Sequence, residues 1–95
     1  MYEISSLVYH EIADRLMAAI GGKEYFSGSV CYVSGDTEYR LICSLVIEHG
    51  DPASEGRSLR PVTALIPVWW EFHTFVSGEE LLNDFSFGEF VATII

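Results

Sequence analysis

The sequence predicts an α+β fold, a three-stranded antiparallel meander packed with an N-terminal and a C-terminal helix in the order α-β-β-β-α. Three observations carry this. Apolar residues recur at helical spacing near the N-terminus, apolar and mixed positions alternate through the middle of the chain, and a second helical stripe closes it. At 95 residues and 49% hydrophobic, the chain suits one domain (1–95) with one core.

The first helix follows from Val8, Ile12, Leu16, Ala19 and Ile20 on one side, with Glu11, Asp14 and Arg15 opposite. Ser5 or Ser6 can cap its start, and Gly21-Gly22 stops it, because glycine takes the left-handed conformation without steric cost. "GGK" is not a phosphate loop, since no strand precedes it and no Ser or Thr follows Lys23.

Residues 24–34 alternate, with Phe26, Val30 and Tyr32 on one face and Ser27, Ser29, Cys31 and Val33 on the other. Gly35-Asp36 is a two-residue hairpin signal. Residues 37–49 alternate again, and Tyr39, Leu41, Cys43, Leu45 and Ile47 make the more apolar set. "GDPASEGRSL" at 50–59 is a polar connection with no period.

In 60–76 the even positions Val62, Ala64, Ile66, Val68, Trp70 and Phe72 are all apolar and are expected in the core. Pro67 lacks an amide hydrogen and so favours an edge strand or a bulge. Ser77 with Glu80 and Ser86 with Glu89 match capping boxes, the first for a helical turn through Leu81 and Leu82. The second introduces a stripe of Phe87, Phe90, Val91, Ile94 and Ile95.

Across the first turn Ser34 is expected opposite Thr37, which sets Val30 against Leu41 and Tyr32 against Tyr39. For the next pair of strands, charge matching favours Arg40 opposite Glu71, Glu38 opposite His73 and Ile42 opposite Trp69. The same register sets Leu41 opposite Trp70, Leu45 opposite Ile66 and Tyr39 opposite Phe72. Cys31 and Cys43 then point to different faces, so no mutual disulfide is expected.

The net charge of -9, with its five cations scattered singly, is the wrong sign for nucleic-acid binding. "MYEISSLVYHE" has no basic region typical of a secretory signal, and no apolar run reaches membrane-spanning length. A cytoplasmic protein with free thiols, no nucleic-acid partner and no membrane association is the expectation.

The second sheet face holds the candidate functional residues. Tyr25, Ile42, Leu65 and Trp69, together with Val33 and Val46, form an apolar patch among Arg40, Glu71 and His73. If both helices cover the other face, this patch stands in water, which marks an interface or a ligand groove. Either the final helix folds across this face or two copies bury it; a homodimer is the expected state, twofold association being the commonest oligomer symmetry, and another protein partner is the related option.

Chemistry on this face is less well supported. An arginine beside Cys31 could favour a thiolate, but a flat sheet carries no oxyanion hole or nucleophile turn. Glu48, His49 and Asp51, or His10 with Glu11, match no metal-ligand spacing. The expectation is therefore a non-catalytic interaction module without a cofactor. The alternative is a small-molecule site, or an enzyme accessory domain, in which Trp69, Phe75 and Tyr25 surround Arg40 and hold an anionic or aromatic ligand.

Overall fold

The computed structural model describes residues 1–50 and 61–95. Its elements run α1 (Ser6–Ile20), β1 (Tyr25–Ser34), β2 (Thr37–His49), β3 (Val62–Val76), β4 (Glu79–Leu81) and α2 (Phe87–Ile94). The strands form one antiparallel sheet in the order β1-β2-β3-β4, with a helix at each end of the chain. The α+β class holds, and the sheet has one short strand more than the sequence suggested. None of the described helices is long and apolar enough to cross a membrane.

The hydroxyl of Ser5 accepts from the Val8 amide to start α1, and Gly21, at φ 57°, ends it by donating to the Met17 carbonyl over 3.1 Å. Val8, Ile12, Leu16 and Ile20 are buried as expected, joined by Tyr9 and Ala13. Ala19 instead faces solvent, because the buried arc leans toward the 9/13 side of the stripe.

β1 and β2 pair as the turn dictates. Ser34 lies opposite Thr37, Val30 opposite Leu41 and Tyr32 opposite Tyr39, around Gly35 at φ 61°. The Ser77–Glu80 capping box does not form. Ser77 (φ 50°) and Gly78 (φ 81°) are both left-handed and make a second two-residue hairpin, pairing Val76 with Glu79. The Ser77 side chain is spent elsewhere: its hydroxyl donates to Asp36 Oδ2 and its amide to the Asp36 carbonyl, each over 2.8 Å. These bonds tie the two turns together.

The β2–β3 register differs from the charge-matched one. Near the turns it is displaced by two residues, so Arg40 faces His73, Ile42 faces Glu71, Glu38 faces Phe75 and Ser44 faces Trp69. On the core side Leu41 faces Phe72, Cys43 faces Trp70 and Tyr39 faces Thr74. The pairing then shifts between Ser44 and Leu45, where Val68 is the extra residue and Leu45 meets Pro67. Pro67 thus sits at a bulge in β3, whose outer edge is paired to β4 only from Thr74 to Val76.

The bulge reverses the alternation of β3. Beyond it Leu65 lies opposite Ile47 and is buried in the core, whereas Ile66 lies opposite Val46 and is exposed. Two expectations are corrected by this one feature: Leu65 leaves the second face, and Ile66 and Val68 leave the core. A one-residue insertion moves the side chains beyond it to the other side of the sheet, here until a second shift between Glu48 and His49 returns Val62 to the core side.

Both helices lie over the face that carries Leu41, Cys43, Leu45 and Ile47, and these residues join α1 and α2 in one buried cluster. Phe85 is its aromatic centre, touching the rings of Phe72, Tyr9, Trp70 and Phe90. Trp70 also stacks on Phe87 at 5.7 Å, yet it sits at the rim of the core and remains 39% exposed. The start of α2 forms as expected, with the Ser86 hydroxyl accepting from the Glu89 amide. The Ser86 amide donates to the Tyr9 hydroxyl, which in turn donates to Glu89 Oε2, so α1 completes the cap of α2.

Candidate functional site

The face of the sheet opposite the helices is a ladder of side chains read across the strands. From the open end toward the hairpin turns, Tyr25, Val46 and Ile66 share one rung, and Ser27, Ser44 and Trp69 the next. Ser29, Ile42 and Glu71 follow, then Cys31, Arg40 and His73, and finally Val33, Glu38, Phe75 and Glu80. The face therefore divides into an apolar end and a charged end.

At the apolar end Tyr25 is 52% exposed, Trp69 46% and Ile66 45%, with Val46 beside them and Ile42 partly buried. Ser44 is buried in the middle of the sheet, its hydroxyl bonded to that of Ser27 over 2.9 Å. No described helix covers this end, since α1 and α2 pack on the other side.

The charged end is internally satisfied. Arg40 forms an ion pair with Glu38 on its own strand, and its guanidinium lies 5.6 Å from the centroid of the Phe75 ring. It does not pair with Glu71 as expected. His73 instead bonds both Glu80, across 2.8 Å from Nδ1, and Glu71, across 3.1 Å from Nε2. The carboxylate of Glu80, then that of Glu71, holds the imidazole pKa above its ordinary value.

No known family, curated protein or solved structure matches this chain.

Of the residues singled out from the sequence, Tyr25, Ile42, Trp69, Arg40, Glu71 and His73 share this face, and Leu65 does not. They do not form one cage. Trp69 lies four residues from His73 along β3, a separation of roughly 13 Å at strand rise. Trp69 and Tyr25 therefore cannot close around Arg40. Ile66 and Glu80 belong to the site but escaped the sequence reading. Pro67 was the available signal for the first and the Ser77-Gly78 pair for the second.

Beside the hairpin turns a cleft of about 410 Å³ is lined by Val33, Asp36, Thr37, Glu38, Arg40 and Phe75, with Gly35 and Gly78 at its edge. Its guanidinium and its aromatic face are engaged with each other, and two carboxylates stand beside them. An anion entering here must displace Glu38 from Arg40.

The cysteines are both free and lie on different sides of the sheet, Cys31 exposed and Cys43 buried. Burial pushes the Cys43 thiol up to about 11. Among the described residues no group of three His, Cys, Asp or Glu side chains could hold a metal ion. Asp51 and the rest of the 50–59 connection lie outside the described residues, apart from Gly50.

Proposed function

We propose that the protein is a non-catalytic interaction module that self-associates as a homodimer through the sheet face opposite its helices. The single supporting observation is the apolar end of that face, where Tyr25, Val46, Ile66 and Trp69 stand exposed around Ile42 while both helices pack elsewhere. Contiguous apolar surface of this kind is costly to leave in water, and burial by a second copy removes it. Trp69 is the natural anchor, because tryptophan is enriched among residues that dominate binding energy. The charged end forms a rim whose ion pairs are already made within one copy.

Light scattering on the wild type and on Trp69→Glu tests this, with circular dichroism to verify folding. The wild type is expected as a dimer and the folded variant as a monomer. A dimeric mass retained in the folded variant removes this face as the interface.

A second reading, small-molecule binding or an accessory role beside an enzyme, draws on the cleft at Arg40 and Phe75. It is the weaker reading, because Glu38 already occupies the guanidinium. A thermal-shift screen with aromatic acids and nucleotides tests it; a shift lost in Arg40→Gln favours a ligand site. The reading as an interaction module includes a cytoplasmic setting, in which Cys31 and Cys43 stay as thiols.

A further inference from the structure

We infer that Glu71, His73 and Glu80 form a proton-operated clasp that fastens β4 to β3 and, through β4, steadies the N-terminal segment. The clasp is independent of self-association and acts where the end of the sheet is held.

Hydrogen-bond chemistry requires a proton here. Both ring nitrogens of His73 face carboxylate oxygens, Nδ1 toward Glu80 at 2.8 Å and Nε2 toward Glu71 at 3.1 Å. An ionised carboxylate only accepts, and a neutral imidazole carries one N–H. Only the imidazolium can donate to both. Loss of its proton leaves one nitrogen lone pair facing a carboxylate, so one of the two arms must release.

The charges around the ring favour the closed form. On β3 and β4 it meets Glu71 and Glu80. From β2 it meets Arg40, directly opposite, whose guanidinium is held by Glu38 and turned over Phe75. Cys31 of β1 lies beyond Arg40. The helices contribute no charge here because they cover the other face. Each of the two cations is thus paired with carboxylate, and the carboxylates outnumber them.

The clasp adds a side-chain tie to a short strand whose following segment is otherwise anchored to β3 by Asn83 Nδ2, which donates to the Phe72 carbonyl over 3.1 Å. β4 is three residues long and pairs with β3 only through Thr74, Phe75 and Val76. The chain leaving it carries the N-terminus: Tyr2 donates to the Leu82 carbonyl over 2.8 Å, and the Asp84 amide donates back to Tyr2 over 3.1 Å. Asp84 Oδ1 then accepts from the Ile4 amide over 2.7 Å, just before the Ser5 cap of α1. Loosening at Glu80, by release of its arm or by loss of the charge on the ring that it faces, is transmitted along this path, while β1 and β2 need not move.

Hydrogen exchange followed residue by residue between pH 5.5 and 8.5 tests the clasp, after correction for intrinsic exchange rates. Protection of the amides of Tyr2, Leu81 and Asp84 is expected to fall about two- to five-fold relative to β1–β2 amides as His73 deprotonates, in keeping with an exposed ion pair. The fall should disappear in His73→Gln and in Glu80→Gln. A wild-type β4 profile parallel to that of β1–β2, or a pH-dependent fall that survives in folded His73→Gln, overturns the inference.

Discussion

The ring of Phe85 lies flat on that of Phe72, with centroids 4.0 Å apart and planes 2° from parallel. Phe72 comes from the middle of β3 and Phe85 from the segment just before α2, so the contact fastens the closing helix to the sheet. Phe85→Ala is expected to cost about 3–5 kcal/mol in chemical denaturation, because a buried aromatic leaves both a lost transfer energy and a cavity. Trp70→Ala should cost less than Phe85→Ala, since Trp70 is partly open to water at the rim. Equal losses would show that the rim packs as tightly as the centre.

Thr74 is the polar exception in the core. It is fully buried, and its hydroxyl has no hydrogen-bond partner among the described residues. Thr74→Val keeps the shape and removes an unsatisfied polar group, so the variant should gain about 1 kcal/mol. A loss of stability in the same denaturation assay would mean that the hydroxyl is bonded in solution.

Alkaline pH should weaken the fold through Tyr39 and Cys43. Burial, reinforced by the 2.6 Å hydrogen bond with Tyr2, raises Tyr39 from 10.0 to about 12. Burial raises Cys43 from 9.0 to about 11. In each case the folded state holds the proton longer than the unfolded state. The associated stability is therefore complete below the unfolded values and is lost as pH climbs toward the folded ones. Denaturation midpoints should decline from pH 9 upward, and the decline should be shallower in Tyr39→Phe. An identical slope in that variant would assign the effect elsewhere.

The two thiols should differ in reactivity. Cys31 is exposed on the open face and Cys43 buried under the helices. A colorimetric thiol reagent should modify one cysteine promptly in the native protein and the second only on unfolding. Rapid reaction of both would contradict the burial of Cys43. Self-association as proposed would slow Cys31, and Trp69→Glu separates that effect from burial within one chain.

Much of the fold was legible in local pattern. The α1 stripe, the Gly35-Asp36 hairpin and the Ser86 cap depend on residues close in sequence, where periodicity and turn chemistry act directly. The β1–β2 register was readable for the same reason: two residues in the turn leave the strands little freedom to slide. β2 and β3 are joined by a long connection, so no turn sets their register. Matching of charges and of apolar pairs was the only guide, and it placed Arg40 opposite Glu71.

Local pattern was enough for the two helices and the three long strands in their order, for the first hairpin, and for the membership of Trp69 and Trp70 in opposite faces. Packing between distant segments settled the rest. It paired Arg40 with Glu38, gave His73 two carboxylates, and used Ser77-Gly78 as a turn because Asp36 claims the Ser77 hydroxyl. It also put the bulge beside Pro67, which sends Leu65 inward and Ile66 out. Those outcomes depend on contacts between residues far apart in the chain. Local propensity carries no information about such partners until the strands have met.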